Sequence, residues 1–169
     1  MASTTSASAL AGPSWRFVVS HPAHALALLV GVGLIRFAPG TFGTLAAAPV
    51  HLWAAAHLPA YVHLAAIAAL FALGVWATGR TARDLGIHDH GGIVWDETVA
   101  FLLVLFFTPA DLVWQALAFV LFRVFDIVKP QPIRYFDHNL RGGFGVMFDD
   151  LLAAGYTLLC LAALKASID

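Results

Sequence analysis

Between Phe37 and Gly79 the chain places no Asp, Glu, Lys or Arg for 43 residues. One helix of that length would far exceed a bilayer, and Pro39-Gly40 and Leu58-Pro59 interrupt the run. Ala60 to Gly79 then offers 20 uncharged residues in one stretch, the length that crosses a hydrocarbon core. Around it the pattern predicts five shorter apolar helices near 22–36, 44–58, 96–108, 110–129 and 146–165. Their ends are marked by Pro22, the Pro39-Gly40 turn, Pro109, Pro130 and the Gly142-Gly143 turn. No useful β-alternation, internal repeat or Gly/Ser linker is present. The expectation is an all-α fold of about six membrane-embedded helices over 21–169, behind a polar N-terminal tail at 1–20. Several of these helices are short for full spans, and the same pattern would also suit a soluble helical core.

Composition sharpens this picture. Of the 169 residues 60% are hydrophobic and 11% charged, with a mean hydropathy of +0.83. Ordinary globular chains carry about 25% charged residues, so a disordered or highly charged chain is excluded. A net charge of −1 leaves no basic field to attract nucleic acid. The first 14 residues lack the basic and apolar regions of a secretory signal. The single Cys160 excludes an internal disulfide framework and a cysteine-rich zinc site.

The few charges are not scattered. Of 19 charged residues, 14 lie in 80–97 and 123–150. If each helix reverses direction, segments 36–44, 80–96 and 129–146 emerge on one face. That face carries Arg36, Arg80, Arg83, Arg123, Lys129, Arg134 and Arg141, and leaves Arg16 and Lys165 on the other. A seven-to-two bias directs the charged face to the cytoplasm. Ionisable groups at the edge of an apolar body are functional by default, because desolvating them is costly.

Two acidic pairs open apolar helices on that face: Asp96-Glu97 in IVWDETVAFLLVLFF and Asp149-Asp150 in GGFGVMFDDLLAAG. Each pair could serve only to complement a helix N-terminus. Adjacent carboxylates repel, however, and a divalent cation with hard oxygen ligands relieves that repulsion. The donor set suits Mg²⁺ or Mn²⁺ and not zinc, which takes His and Cys. Asp126 lies near the C-terminal end of its helix, where the macrodipole disfavours an anion. An i,i+3 pair with Arg123 or Lys129 is the simpler reading. Three charges in one apolar helix instead favour a functional Asp126, with Arg123, Lys129 and Arg134 as donors to an anionic, phosphate-like ligand. The run Pro39-Gly40-Thr41-Phe42-Gly43-Thr44 could present backbone amides to such an anion, or simply turn the chain. His88-Asp89-His90 is more simply a polar loop than a metal site.

PGTFGTLAAAP, GIHDHGGIVWDE, FRVFDIVKPQPIRYFD and GGFGVMFDD occur in the order and spacing of the phosphatidylglycerophosphatase A family, and the resemblance runs from about Pro22 to Gly155. It implies a Mg²⁺-dependent, multi-pass phosphatase of the bacterial cytoplasmic (inner) membrane. Such an enzyme converts the phospholipid phosphatidylglycerophosphate to phosphatidylglycerol and phosphate on the cytoplasmic side, with no obligatory protein partner. Carried onto this chain, it implies Asp96, Asp126, Asp149 and Asp150 as catalytic and Asp89, Asp96, Glu97, Asp149 and Asp150 as metal ligands. Arg123, Lys129, Thr41 and Gly43 are the implied phosphate-binding residues, to which the reading of the charges adds Arg134. Thr44 stands where serine is usual, Ala100 where a glycine-like residue is common, and His138 where a basic residue often follows the aspartate. The competing readings are a phosphatidyltransferase and a carboxylate-lined cation transporter or channel. The first lacks its DGxxAR arrangement, and the second would place its acids near the bilayer midplane.

Overall fold

Among the described residues, prolines and glycines cut the apolar runs into eight α-helices and one 3-10 turn. The computed structural model describes residues 12–168, and no strand is found among them. The helices are α1 (Trp15–Ser20), α2 (Pro22–Ala27), α3 (Pro39–His57), α4 (Ala60–Leu85), α5 (Trp95–Phe107), α6 (Leu112–Val128), α7 (Ile133–Asn139) and α8 (Gly142–Ile168). The 3-10 turn covers Leu29–Leu34.

Several boundaries differ from the sequence pattern, each for a local reason. Trp15–Ser20, counted with the polar tail, is helical and capped by the Ser14 hydroxyl; the rest of that tail, 1–11, lies outside the described residues. The helix expected over 22–36 breaks where Leu29, Val30 and Gly31 turn to positive φ of 44°, 49° and 101°. β-branched residues alternating with glycine resist helix propagation there. This N-terminal segment also does not traverse the bundle. Thr81 Oγ1 donates to the Ala23 carbonyl at 3.3 Å, and His24 Nε2 meets Asp84 Oδ2 at 2.9 Å. Both contacts hold α2 beside the C-terminal end of α4. Arg16 is therefore at the charged end, and of the nine Lys and Arg residues only Lys165 lies at the other.

Helix α3 begins at Pro39, not Thr44, so the glycine-rich run forms its first turns, with proline at N1 where its missing N–H costs nothing. Helix α4 continues past Gly79 until Gly86, whose φ of 70° caps it. Helix α8 begins at Gly142, which sets Asp149 and Asp150 two turns inside the helix instead of at its start.

Helix α8 packs against α4, α5, α6 and α7, and its contact with α4 is the most extensive. A Cβ on Gly143 would collide with the Val75 carbonyl, and one on Gly74 would meet Met147 and Trp95. Small residues thus bring the two long helices together. Phe101, Leu105, Phe122, Met147 and Ala153 fill the core between α5, α6 and α8.

Outside this core the surface stays apolar: Leu52, Trp53, Tyr61 and Leu159 are 61%, 59%, 76% and 70% exposed. Helices α4 and α8 are long and apolar enough to cross a membrane, and only 22% of the most apolar stretch of each is buried by protein. At 1.5 Å per residue α4 measures about 39 Å, more than a bilayer core of about 30 Å. Helix α5, with 13 residues, is too short to span by itself.

Candidate active site

The site forms where the N-terminal turns of α3, α5 and α8 meet the C-terminal end of α6. Its acidic groups divide into two clusters. Asp96, Glu97 and Asp150 bring carboxylate oxygens within 4.8 Å of one another, and Asp89, Asp137 and Asp149 do the same beside them. Asp96, Asp149 and Asp150 are buried, at 6%, 5% and 3% exposed. The two-turn advance of α8 achieves this by carrying Asp149 and Asp150 below the surface. Asp149 and Asp150, adjacent in sequence, point to different clusters because neighbouring helical positions diverge around the axis.

Each cluster has its own cation. Arg123 Nη1 donates to Asp126 Oδ2 at 2.6 Å and lies 3.6 Å from Glu97 Oε1. It also reaches the Thr44 hydroxyl at 3.3 Å. Lys129 Nζ bridges the second cluster, donating to Asp137 at 2.7 Å and to Asp149. Burial works against the Lys129 charge, but the two carboxylates outweigh it and hold the ammonium's pKa above its ordinary value. Partial burial likewise opposes ionisation of Asp137, yet the Lys129 hydrogen bond keeps it below the usual carboxylate range. Lys129 ends α6 in the left-handed region at φ 45°. That conformation costs about 1–3 kcal/mol in a non-glycine residue, and the two carboxylates that seize the side chain hold it there.

Several buried polar atoms remain without partners among the described residues: Glu97 Oε2, Asp150 Oδ2, Asp149 Oδ1 and Arg123 Nε. Isolated buried charges of this kind are expensive, so the carboxylate oxygens suit a cation and the guanidinium N–H suits an anion. The first cluster has three hard oxygen donors and no ammonium inside it. Lys129 already occupies the second.

The remaining sequence candidates have distinct placements. Asp126 is committed to Arg123, in the i,i+3 pair that its spacing allowed. Gly43 is pressed against Val94, where a Cβ would come within 2.8 Å, and its carbonyl accepts from Thr98. Gly40 is the glycine that faces the charges, since a Cβ there would strike the Glu97 carboxylate and come within 3.1 Å of Arg123 Nη2. Thr41 is half-buried in the first turn of α3. Arg134 is exposed on α7 and forms no ion pair among the described residues. His88 Nε2 accepts from the Gly142 amide at 2.9 Å, and His90 Nδ1 from Gly92 at 3.0 Å, so both histidines organise the loop around Asp89. Sequence reasoning missed Asp137 and Gly40 as site residues. Asp137 sits eight residues beyond Lys129 across a double proline turn, a separation with no helical or strand periodicity to mark it.

Comparison with known proteins agrees with this arrangement of motifs. The family model for phosphatidylglycerophosphatase A matches residues 25–165. A phosphatidylglycerophosphatase A from Haemophilus influenzae is 44% identical over 155 residues, covering 90% of this chain and 94% of its own. One from Escherichia coli is 42% identical over 139 residues, covering 82% and 80%. A Bacteroides thetaiotaomicron protein, 38% identical over 144 residues and covering 80% and 88%, is provisionally named a phosphatidylinositol-3-phosphatase. No solved structure matches the chain significantly. The match extends through all four motifs, three of which build the two clusters, and the chain belongs to the phosphatidylglycerophosphatase A family.

Proposed function

We propose that this protein is a Mg²⁺-dependent phosphatase that hydrolyses phosphatidylglycerophosphate to phosphatidylglycerol and phosphate. The observation that carries this reading is the pair of carboxylate clusters with unpartnered oxygens, flanked by Arg123 and Lys129, at one end of an apolar bundle. The names of the Haemophilus and Escherichia relatives supply the substrate. The protein sits in the bacterial inner membrane as a multi-pass helical body, with α4 and α8 as full spans and the charged end in the cytoplasm. The positive charge gathered at that end supports this orientation. A lipid phosphomonoester lies at headgroup depth, level with such a site.

Asp96, Glu97 and Asp150 are the residues that would hold Mg²⁺, an ion suited to hard oxygen donors. Bound there, it supplies a Lewis acid that neutralises charge on the phosphoryl oxygens. Arg123 has a buried, unpartnered Nε to offer the anion, and Asp126 fixes the guanidinium by holding Nη1. Lys129 adds a second positive charge, oriented by Asp137 and Asp149. Preorganised donors of this kind act where transition-state charge develops. A new P–O bond forms as the bond to the glycerol oxygen breaks, and the alcohol leaves with a proton. Either water attacks phosphorus directly, with a carboxylate taking its proton, or an aspartate attacks and water cleaves the aspartyl-phosphate. A hydroxylamine-labile phosphoenzyme trapped by acid quench during turnover would identify the aspartyl-phosphate route, and its absence under single-turnover conditions would favour direct attack by water.

Phosphate release by the purified protein in detergent tests the reading. Release from phosphatidylglycerophosphate, supported by Mg²⁺ and lost with EDTA, is the expected result. Release that ignores EDTA removes the metal from the mechanism. Faster release from phosphatidylinositol 3-phosphate would replace the substrate.

A further inference from the structure

An apolar groove of about 250 Å³ opens on the lipid-facing side of the bundle, between α4, α5 and α8. Leu64, Ala68 and Phe71 of α4 form one wall, Ala100 and Leu103 of α5 the other, and Leu151 of α8 closes the upper end. We propose that this groove seats an acyl chain of the lipid whose phosphate is bound at the carboxylate clusters, so that it selects diacyl substrates over soluble phosphomonoesters. The proposal rests on the phosphatase reading above.

Its continuity with the site commits it to that occupant. Leu151 follows Asp150 directly, and Ala100 lies three residues beyond Glu97, one helical turn, on the same helix. The groove therefore begins just beneath the Asp96, Glu97 and Asp150 cluster and continues away from the charged end. From Phe71 to Leu64 it follows α4 for about 10 Å at 1.5 Å per residue. Leu103 lies about 10 Å below Asp96 on the same scale. In phosphatidylglycerophosphate a glycerol, a phosphodiester and a second glycerol separate the terminal phosphate from the acyl chains, so a chain slot must be offset from the phosphate site. The lining is wholly apolar, and the width comes from two alanines set among larger side chains. Ala68 is exposed to the lipid side, so a large residue there fills the groove without displacing core atoms.

The test compares kcat/KM for phosphatidylglycerophosphate with that for its acyl-free headgroup, glycerophosphoglycerophosphate. Ala68→Trp should lower the diacyl-to-acyl-free ratio about tenfold, mainly through KM for the lipid. Leu159→Trp, which places the same side chain on the lipid-facing surface away from the groove, serves as the control and should leave the ratio unchanged. An unaltered ratio in Ala68→Trp, or an equal fall in Leu159→Trp, overturns the proposal. If the wild-type protein releases phosphate from neither compound, the phosphatase reading fails and the groove is judged by labelling. Phosphatidylglycerophosphate with a diazirine in one acyl chain should then cross-link at Leu64, Phe71 or Leu103. Excess unlabelled lipid should compete, and Ala68→Trp should abolish the product. Labelling spread over the apolar surface, or not displaced by competitor, overturns the proposal on its own.

Discussion

At the scale of single residues the site is a problem in placing carboxylates. Asp96, Glu97 and Asp150 crowd together with two oxygens unpartnered, whereas Asp137 and Asp149 share an ammonium. This difference predicts opposite behaviour in two isosteric variants. Asp150→Asn relieves like-charge repulsion, so its thermal midpoint without Mg²⁺ should equal or exceed that of the wild type, while turnover falls by at least about 100-fold. Asp137→Asn loosens Lys129 and should lower turnover about tenfold. At Mg²⁺ near 100 times its Kd, wild type and Asp137→Asn should each gain roughly 2.7 kcal/mol, and Asp150→Asn much less. Thermal unfolding across a Mg²⁺ titration provides the measurement. An undiminished Mg²⁺ shift in Asp150→Asn would remove that residue from the ion.

Among the helices, the crossing of α4 and α8 decides whether those residues meet. Gly143 lies against the Val75 carbonyl and Gly79, and its own carbonyl accepts from Thr78 at 3.3 Å. A methyl group at Gly143 has no space, so Gly143→Ala should destabilise by about 1–3 kcal/mol through overpacking. Because Asp149 and Asp150 ride on the same helix less than two turns below, activity should fall along with the thermal midpoint. The exposed Gly155, whose Cβ would meet nothing, provides the comparison: Gly155→Ala should retain both. The element pattern itself was partly readable. Prolines bounded α3 and α4, and the uncharged run identified α4. The unbroken start of α8 was not readable, because Gly142-Gly143 looks like a turn; its helical form depends on docking against α4.

For the whole molecule the proposed orientation turns on how the Lys and Arg residues divide between the two ends. With α1 and α2 folded back beside Asp84, Lys165 is the one Lys or Arg at the far end, a stronger asymmetry than the alternation of six helices implied. In a Cys160→Ala background, Lys165→Cys should react with a membrane-impermeant thiol reagent added outside spheroplasts. Arg141→Cys should react only after permeabilisation. The reverse pattern would invert the orientation, and reaction of both from outside would deny a spanning arrangement.

The sequence by itself determined an all-helical, apolar chain with its ionisable groups in two short stretches. Hydrophobic burial and helix-breaking residues act locally, so their effects can be read along the chain. It also presented Asp96, Glu97, Asp126, Asp149, Asp150, Arg123 and Lys129 as anomalous charges in apolar surroundings. Only the tertiary structure decided how they group. It set Asp126 on Arg123, divided Asp149 from Asp150, brought in Asp137 from the short helix α7, and turned Gly40 instead of Gly43 toward the site. It also folded residues 15–34 back onto the charged end. Those outcomes depend on helix rotation, on glycine-mediated approach and on charge pairing between segments far apart in the chain, none of which leaves a local period to read.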